Sequence, residues 1–375
     1  MDAVEAKMYD IAVGLIPNVG SINAKQLISY CGGAEKVFKE KKRNLQKIPG
    51  IGETMVNAIV GSDSKALLKR AEEEVKFCEK NAIKIISYYN DEYPKRLHHC
   101  KDAPFLIYQK GCASLNESKM VNIVGTRNAT LYGKSITHKI VEDLSPYNVT
   151  IVSGLAYGID AEAHRKALEF NLPTIGVLAH GLDQIYPHLH KKLAAQILDA
   201  NGALITEFKQ ASKPDRQNFP ARNRIVAGMC DATIVVESAA KGGSLITADI
   251  AQSYNRDVFA VPGRINDKFS EGCNNLIKYN VAALIHSGED IVKMLGWDVA
   301  QKTQKKKSKQ RSLFIELDPS EQQIIDYMEK IESPMHVDDL NQNIDLPSST
   351  ISMALLSLEL KGIVHSRPGS CYAMV

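Results

Sequence analysis

The stretch "MVNIVGTRNATLYG", residues 120–133, runs from apolar and β-branched residues through a glycine turn into a helical pattern. The same order returns in "VTIVSGLAYGIDAEAH", residues 149–164. Further short strands read as "TIGVLA" (174–179), "ALITEF" (203–208), "ATIVVE" (232–237), "DVFAVPG" (257–263) and "AALIH" (282–286), with helical stretches between them. Strands that alternate with helices predict an α/β fold, a Rossmann-like, doubly wound and mostly parallel sheet. Ahead of them, "IISYYNDEYPKRL" (85–97) and "APFLIYQKG" (103–111) read as an entry segment with extra strands.

Outward from that core the pattern changes twice. Residues 1–80 are helical, with two similar turns in "LIPNVGSINAKQLISYCG" and "LQKIPGIGETMVNAIVG". Pro49-Gly50-Ile51-Gly52 resembles the phosphate-facing turn of the helix-hairpin-helix family, and the region is expected to be helix-hairpin-helix or SAM-like. Pro17-Asn18-Val19-Gly20 matches less well, because Asn18 replaces the first glycine. After the α/β region (81–300), "QKTQKKKSKQR" (301–311) has six cations, no acid and no apolar period, so 301–317 reads as a basic linker. From 318 to 375, helical patterns in "DPSEQQIIDYMEKI", "HVDDLNQNIDL" and "PSSTISMALLSLELKG" precede a hairpin turning at Pro368-Gly369-Ser370. That is the outline of a winged helix. Asp318 or Ser320 can cap its first helix, and Lys361 is the one cation of its third, which favours a protein-contact or structural role.

Composition limits the function classes. With 375 residues the chain is long enough for two or three domains. No run of about 18 apolar residues occurs, and the start "MDAVEAKMYD" is acidic where a signal peptide is basic and then apolar, so a cytoplasmic protein is expected. Seven scattered cysteines without a CxxC pair argue against a disulfide framework or a zinc ribbon, and His98, His99, Cys100 and Cys112 match no metal spacing. No metal and no cofactor are expected. A net charge of +3 restricts any nucleic-acid contact to a local patch.

The residues just after the strands carry the chemistry. They are Gly125, Thr126 and Arg127; Ser153, Gly154, Gly158 and Asp160; Gly181 and Asp183; then Lys241, Gly242, Gly243, Ser244 and Thr247. Glycine turns that open helices let a phosphate approach backbone N–H groups, and an arginine adds a two-pronged partner. In "NFPARNRIVAG" (218–228), Arg222, Asn223 and Arg224 stand at a helix start, where cations call for a bound anion or for nearby carboxylates. Phe219 is either a base-stacking ring or a core ring, and Lys213 and Arg216 lie on the approach loop. G-x-G-x-x-G after the first strand and G-x-x-x-x-G-K-[ST] anywhere are missing, which excludes the usual nucleotide-cofactor loops. Asp160, His164, Glu207 and Glu237 are candidate acid or base groups, with capping of a helix and neutralisation of arginines as the simpler roles.

In this order "GTR", "SGLAYGIDAEAHRKAL", "GLDQIYP", "FPARNRIVAGM" and "GGSLITADIA" resemble the DNA-processing protein A family, DprA or Smf, over residues 82–297. The resemblance implies a cytoplasmic bacterial protein without enzymatic activity. Such a protein binds and protects single-stranded DNA during natural transformation, loads the RecA recombinase and forms a homodimer through its Rossmann-like domain. It also implies DNA contacts from Gly125, Thr126, Arg127, Ser153, Gly154, Lys213, Phe219, Arg222, Asn223, Arg224, Lys241, Gly242, Gly243 and Ser244, and no catalytic residue. The alternative is a nucleotide N-glycosidase on a similar fold, whose P-G-G-x-G-T-x-x-E signature "AKGGSLITADI" lacks at the Pro and the Glu.

Overall fold

The structure is a computed structural model that describes residues 3–298, 317–331, 335–367 and 371–374. The basic run 301–311, the rest of the linker up to 316 and the hairpin turn Pro368-Gly369-Ser370 lie outside the described residues. Two compact units are present, 1–298 and 299–375.

The first unit begins with six helices: α1 (Ala3–Gly14), α2 (Ser21–Cys31), α3 (Ala34–Lys39), α4 (Lys42–Leu45), α5 (Glu53–Gly61) and α6 (Ser64–Lys80). The two turns ahead of α2 and α5 have the same backbone form. Asn18 (φ 65°) and Gly50 (φ 75°) both occupy the left-handed region, where asparagine is the side chain that best substitutes for glycine. Helix α6 has a side-chain N-cap: Asp63 accepts from the N–H of Lys65 and Ala66. The core of these helices runs on into Ile83 and Ile85 of the first strand, Phe105 just ahead of the second and Tyr108 within it, so the helical and α/β regions form one body.

Nine strands follow: β1 (Ile83–Ser87), β2 (Leu106–Gly111), β3 (Met120–Val124), β4 (Thr150–Ser153), β5 (Thr174–Val177), β6 (Ala203–Thr206), β7 (Ala232–Val235), β8 (Asp257–Ala260) and β9 (Ala283–Leu284). They stand in the order β1-β2-β6-β5-β4-β3-β7-β8-β9. β1 and β2 are antiparallel to each other and β2 is antiparallel to β6; every other pairing is parallel. The entry segment therefore adds an antiparallel edge to a doubly wound sheet.

Helices cover both faces: α7 (Lys95–His98), α8 (Leu131–Leu144), α9 (Ile159–Glu169), α10 (Lys191–Asp199), α11 (Asn218–Gly228), α12 (Gly243–Ser253), α13 (Glu271–Lys278) and α14 (Gly288–Met294). Strand alternation divides β3 between two cores. Val121 and Ile123 pack with Ile140 of α8 and Ile159 of α9, whereas Met120 and Val124 pack with Ile225 of α11 and Ala248 of α12. Between them Asn122, fully buried, donates to Thr233 Oγ1 (2.8 Å) and to the carbonyl of Ala232 (3.2 Å). No helix among the described residues is long and apolar enough to cross a membrane.

In the second unit, helices Pro319–Ile331, Val337–Asn343 and Ser348–Leu360 pack with a three-stranded sheet of Met335–His336, Cys371–Met374 and Val364–Arg367, the Cys371–Met374 strand in the middle. Asp318 caps the first helix by accepting from the N–H of Ser320 and Glu321, and Glu321 reaches back to the N–H of Asp318. Glu321, buried, also takes Lys361 at 2.6 Å. The cation that closes the third helix is thus committed inside the domain.

Candidate nucleic-acid interface

The chain leaves β3 outward through β4, β5 and β6 and returns to β7 on the other side of β3. Strand order reverses there, and a crevice opens beyond the carboxyl ends of the strands. It is a cleft of about 1080 Å³. Gly125, Thr126, Arg127, Gly154, Lys213, Phe219, Arg222, Asn223, Gly242, Gly243 and Ser244 all line it, so eleven of the fourteen residues singled out from the sequence come together. Lys241 is exposed and lies outside this lining; Ser153 and Arg224 point elsewhere.

Close packing explains the glycines. A Cβ at Gly154 would lie 1.5 Å from Arg222 Nη1, so this turn exists as glycine because the guanidinium passes over it. Gly158 has φ 78°, and its Cβ would stand 2.1 Å from the carbonyl oxygen of Thr126. The turns after β3 and β4 are therefore pressed together, which aims Arg127 outward.

Several expected donors are already engaged. Ser153, fully buried, donates its hydroxyl to the carbonyl of Ile123 at 2.6 Å, which removes it from the cleft. The N–H groups of Gly154 (3.2 Å) and Ala156 (3.4 Å) donate to Asp160, so that nest already holds an internal carboxylate. Asp160 thus serves the preceding turn and not a cap of its own helix. The Thr126 N–H donates to the carbonyl of Glu237 at 2.8 Å. Burial pushes the Asp160 carboxyl above its usual range, and Arg222 pulls it back. Arg222 is 5% exposed; burial lowers its own pKa, with Asp160 opposing. It donates to the carbonyl of Val177 (3.0 Å), while its Nε has no partner among the described residues.

Arg224 corrects the sequence reading most clearly. Positions two apart on a helix differ by about 200°, so Arg222 and Arg224 occupy opposite faces. Arg222 turns to the cleft, and Arg224 turns to Glu207 and the carbonyl of Asp102. Of the glutamates, Glu207 neutralises an arginine, whereas Glu237 accepts from the N–H (3.0 Å) and hydroxyl (2.5 Å) of Thr130 at the start of α8. His164 is packed away: its Nδ1 meets the Thr174 hydroxyl at 2.7 Å, and burial, with His190 and Arg222, pushes the imidazole down to about 3. Among the described residues no group of three or more His, Cys, Asp and Glu could hold a metal. His98 stacks on Tyr88 at 3.9 Å.

The charged groups that face solvent in the cleft are cations, with aromatic rings beside them. Arg127, Lys213 and Arg216 are exposed and carry no ion pair among the described residues. The Arg127 guanidinium lies 5.3 Å from the centre of the Phe219 ring, which is half-buried, and Tyr186 lies 6.2 Å beyond it. Helix α12 starts at the cleft without a side-chain cap and without an acid in its first turn, and nothing within 4 Å occupies the side-chain position of Gly243. A free helix start beside unpaired cations is a place for an anion. Tyr186 and Gln184, which the sequence pattern did not mark, reach the cleft from the turn after β5; both lie in "GLDQIYP" beside Gly181 and Asp183. Asp183 instead accepts from the N–H of Ala211.

A family model described as DNA recombination-mediator protein A matches residues 84–296, and one described as the DprA winged helix domain matches 309–370. Protein Smf of Synechocystis sp. is 33% identical over 398 residues, covering 97% of this chain and 98% of that one. DNA processing protein DprA of Streptococcus pneumoniae is 40% identical over 206 residues, 55% of this chain and 72% of its own. Among solved structures, the X-ray structure of the Streptococcus pneumoniae protein superposes with a TM-score of 0.62 at 31% identity, covering 78% of this chain and 98% of that one. DNA processing protein A from Helicobacter pylori, described for its single-stranded DNA binding mode, gives a TM-score of 0.52 at 31% identity, covering 58% and 96%.

Proposed function

The chain belongs to the DNA recombination-mediator protein A family, and from that premise we propose that it binds and protects single-stranded DNA in natural transformation and loads the RecA recombinase onto it. The reading places the protein in the cytoplasm as a homodimer through its Rossmann-like domain, without catalytic activity of its own. One observation carries the DNA assignment: Arg127, Lys213 and Arg216, without an ion pair among the described residues, converge with the uncapped start of α12 on one cleft beside Phe219 and Tyr186. Cations and helix N–H groups suit a phosphodiester backbone, and stacking rings hold bases without regard to sequence. The Helicobacter pylori relative, described as binding single-stranded DNA, supports the same ligand.

Engagement of the carboxylates favours binding over the N-glycosidase alternative. Asp160 serves backbone N–H groups, and Glu207 and Glu237 are bonded to Arg224 and Thr130. The test is equilibrium binding of the full chain to one oligonucleotide in single- and double-stranded form across a range of salt. A preference for the single strand is expected; equal affinity for both forms, or none for either, refutes the assignment. Nucleoside monophosphates incubated with the protein are expected to release no free base.

A further inference from the structure

We propose that the groove between the starts of α8 and α9 is a second nucleotide-binding site, which carries a single strand onward after it leaves the main cleft. This rests on the reading of that cleft as a DNA site. The groove has a volume of about 540 Å³, and its wall includes Arg127, Lys134, Tyr157, Arg165 and His190. Neither Asp nor Glu lines it. Arg127 belongs to both grooves, and a small recess walled by Arg127, Tyr157, Tyr186 and Phe219 joins them. The cationic and aromatic surface is therefore continuous.

Lys134 occupies the first turns of α8, where the helix dipole disfavours a cation, and it has no ion pair among the described residues. Arg165 extends from α9, half-exposed, with Glu162 at 3.4 Å as a loose partner. Tyr157 is 40% exposed and is held edge-on against His190, centres 5.1 Å apart, while His190 is pinned by the carbonyl of Leu155. A ring fixed in place beside Lys134 and the loosely paired Arg165 resembles the arrangement of Phe219 beside Arg127. That combination fits a nucleotide, its phosphate on Lys134 and Arg165 and its base on Tyr157.

The test uses the full chain and thymidine oligonucleotides of about 5 and about 20 nucleotides, lengths that fall inside and beyond one single-strand site. Replacing Lys134→Gln together with Arg165→Gln removes two phosphate contacts, so the salt slope for the long strand is expected to fall by about 1.4, or about 25-fold in affinity near 0.1 M salt. The short strand is expected to bind as before. Tyr157→Ala is expected to weaken the long strand about 5-fold or more with little change in slope. A control pair, Lys139→Gln with Lys293→Gln, removes the same charge from ion-paired surface positions outside both grooves and is expected to leave both strands unaffected. Equal loss at both lengths, or equal loss in the control, overturns the proposal. If Arg127→Ala weakens both lengths and the double variant weakens neither, only the groove fails. If Arg127→Ala leaves the short strand unaffected, the cleft reading fails and the groove falls with it.

Discussion

Replacing Arg222→Met removes the charge that offsets Asp160. Both groups are buried, and each is the leading charge partner of the other. Taking one partner from a buried pair leaves the other uncompensated and costs about 3–5 kcal/mol. The two N–H donors that Asp160 retains, and a separation that leaves no direct Arg222–Asp160 ion pair among the described residues, place the expectation below that range, about 2 kcal/mol. In the double variant Arg222→Met with Asp160→Asn neither charge is buried, so the losses should fail to add by about 2 kcal/mol. Gly154→Ala should reproduce much of the first loss, since its Cβ would displace the guanidinium. The pH dependence has a definite sign. The folded pKa of Asp160 lies above its unfolded value, so the contribution is favourable at low pH and is lost as pH rises through the folded pKa. Removing Arg222 raises that pKa further, so the deficit of Arg222→Met should shrink as the solution is acidified. Urea unfolding is followed by the single tryptophan, Trp297, which packs on the same core as β3 and β4 and so reports on the unit that holds the cleft. A loss below about 1 kcal/mol, or additive losses in the double variant, would refute Arg222 as the counter-ion of Asp160.

Two further outcomes concern other carboxylates drawn out of solvent. Arg224→Met should cost about 2 kcal/mol by stranding the mostly buried Glu207, with Glu207→Gln recovering part of it, while the salt slope of oligonucleotide binding stays unchanged. Asp10, pushed up to about 6 by burial with a Ser87 hydrogen bond opposing, should make stability fall as pH rises from about 4 to about 6. Asp10→Asn should abolish that dependence and gain about 1–2 kcal/mol at neutral pH in urea unfolding, a figure discounted for partial exposure.

The α/β class was legible because each strand-turn-helix unit writes its own period into the sequence: "MVNIVG" and "VTIVSG" are β3 and β4 with the turns that end them. Strand order was not legible, since nothing local states that β7 returns beside β3 or that β2 pairs antiparallel with β6. Glycine turns and arginines marked most of the cleft for a similar reason: close approach and charge are visible residue by residue. Which partner a group takes is a matter of three dimensions. Ser153, Gly154 and Thr126 looked like donors to a ligand and proved to be donors to Ile123, Asp160 and Glu237. The helical period itself contained the signal that separates Arg222 from Arg224, since side chains two apart cannot share a face. Asn18 shows the opposite case, where a mismatch in sequence hid an agreement in backbone conformation.

The central claim is that Arg127 and its neighbours meet phosphate in the cleft beyond β3, and the salt dependence of binding addresses it most directly. The affinity of wild type and Arg127→Ala for one single-stranded oligonucleotide is measured over a series of salt concentrations, with unfolding followed in parallel. The expected result is a slope lower by about 0.7 in Arg127→Ala and unchanged stability, because one exposed phosphate contact has been removed. An unchanged slope, with the variant folded as wild type, contradicts the claim.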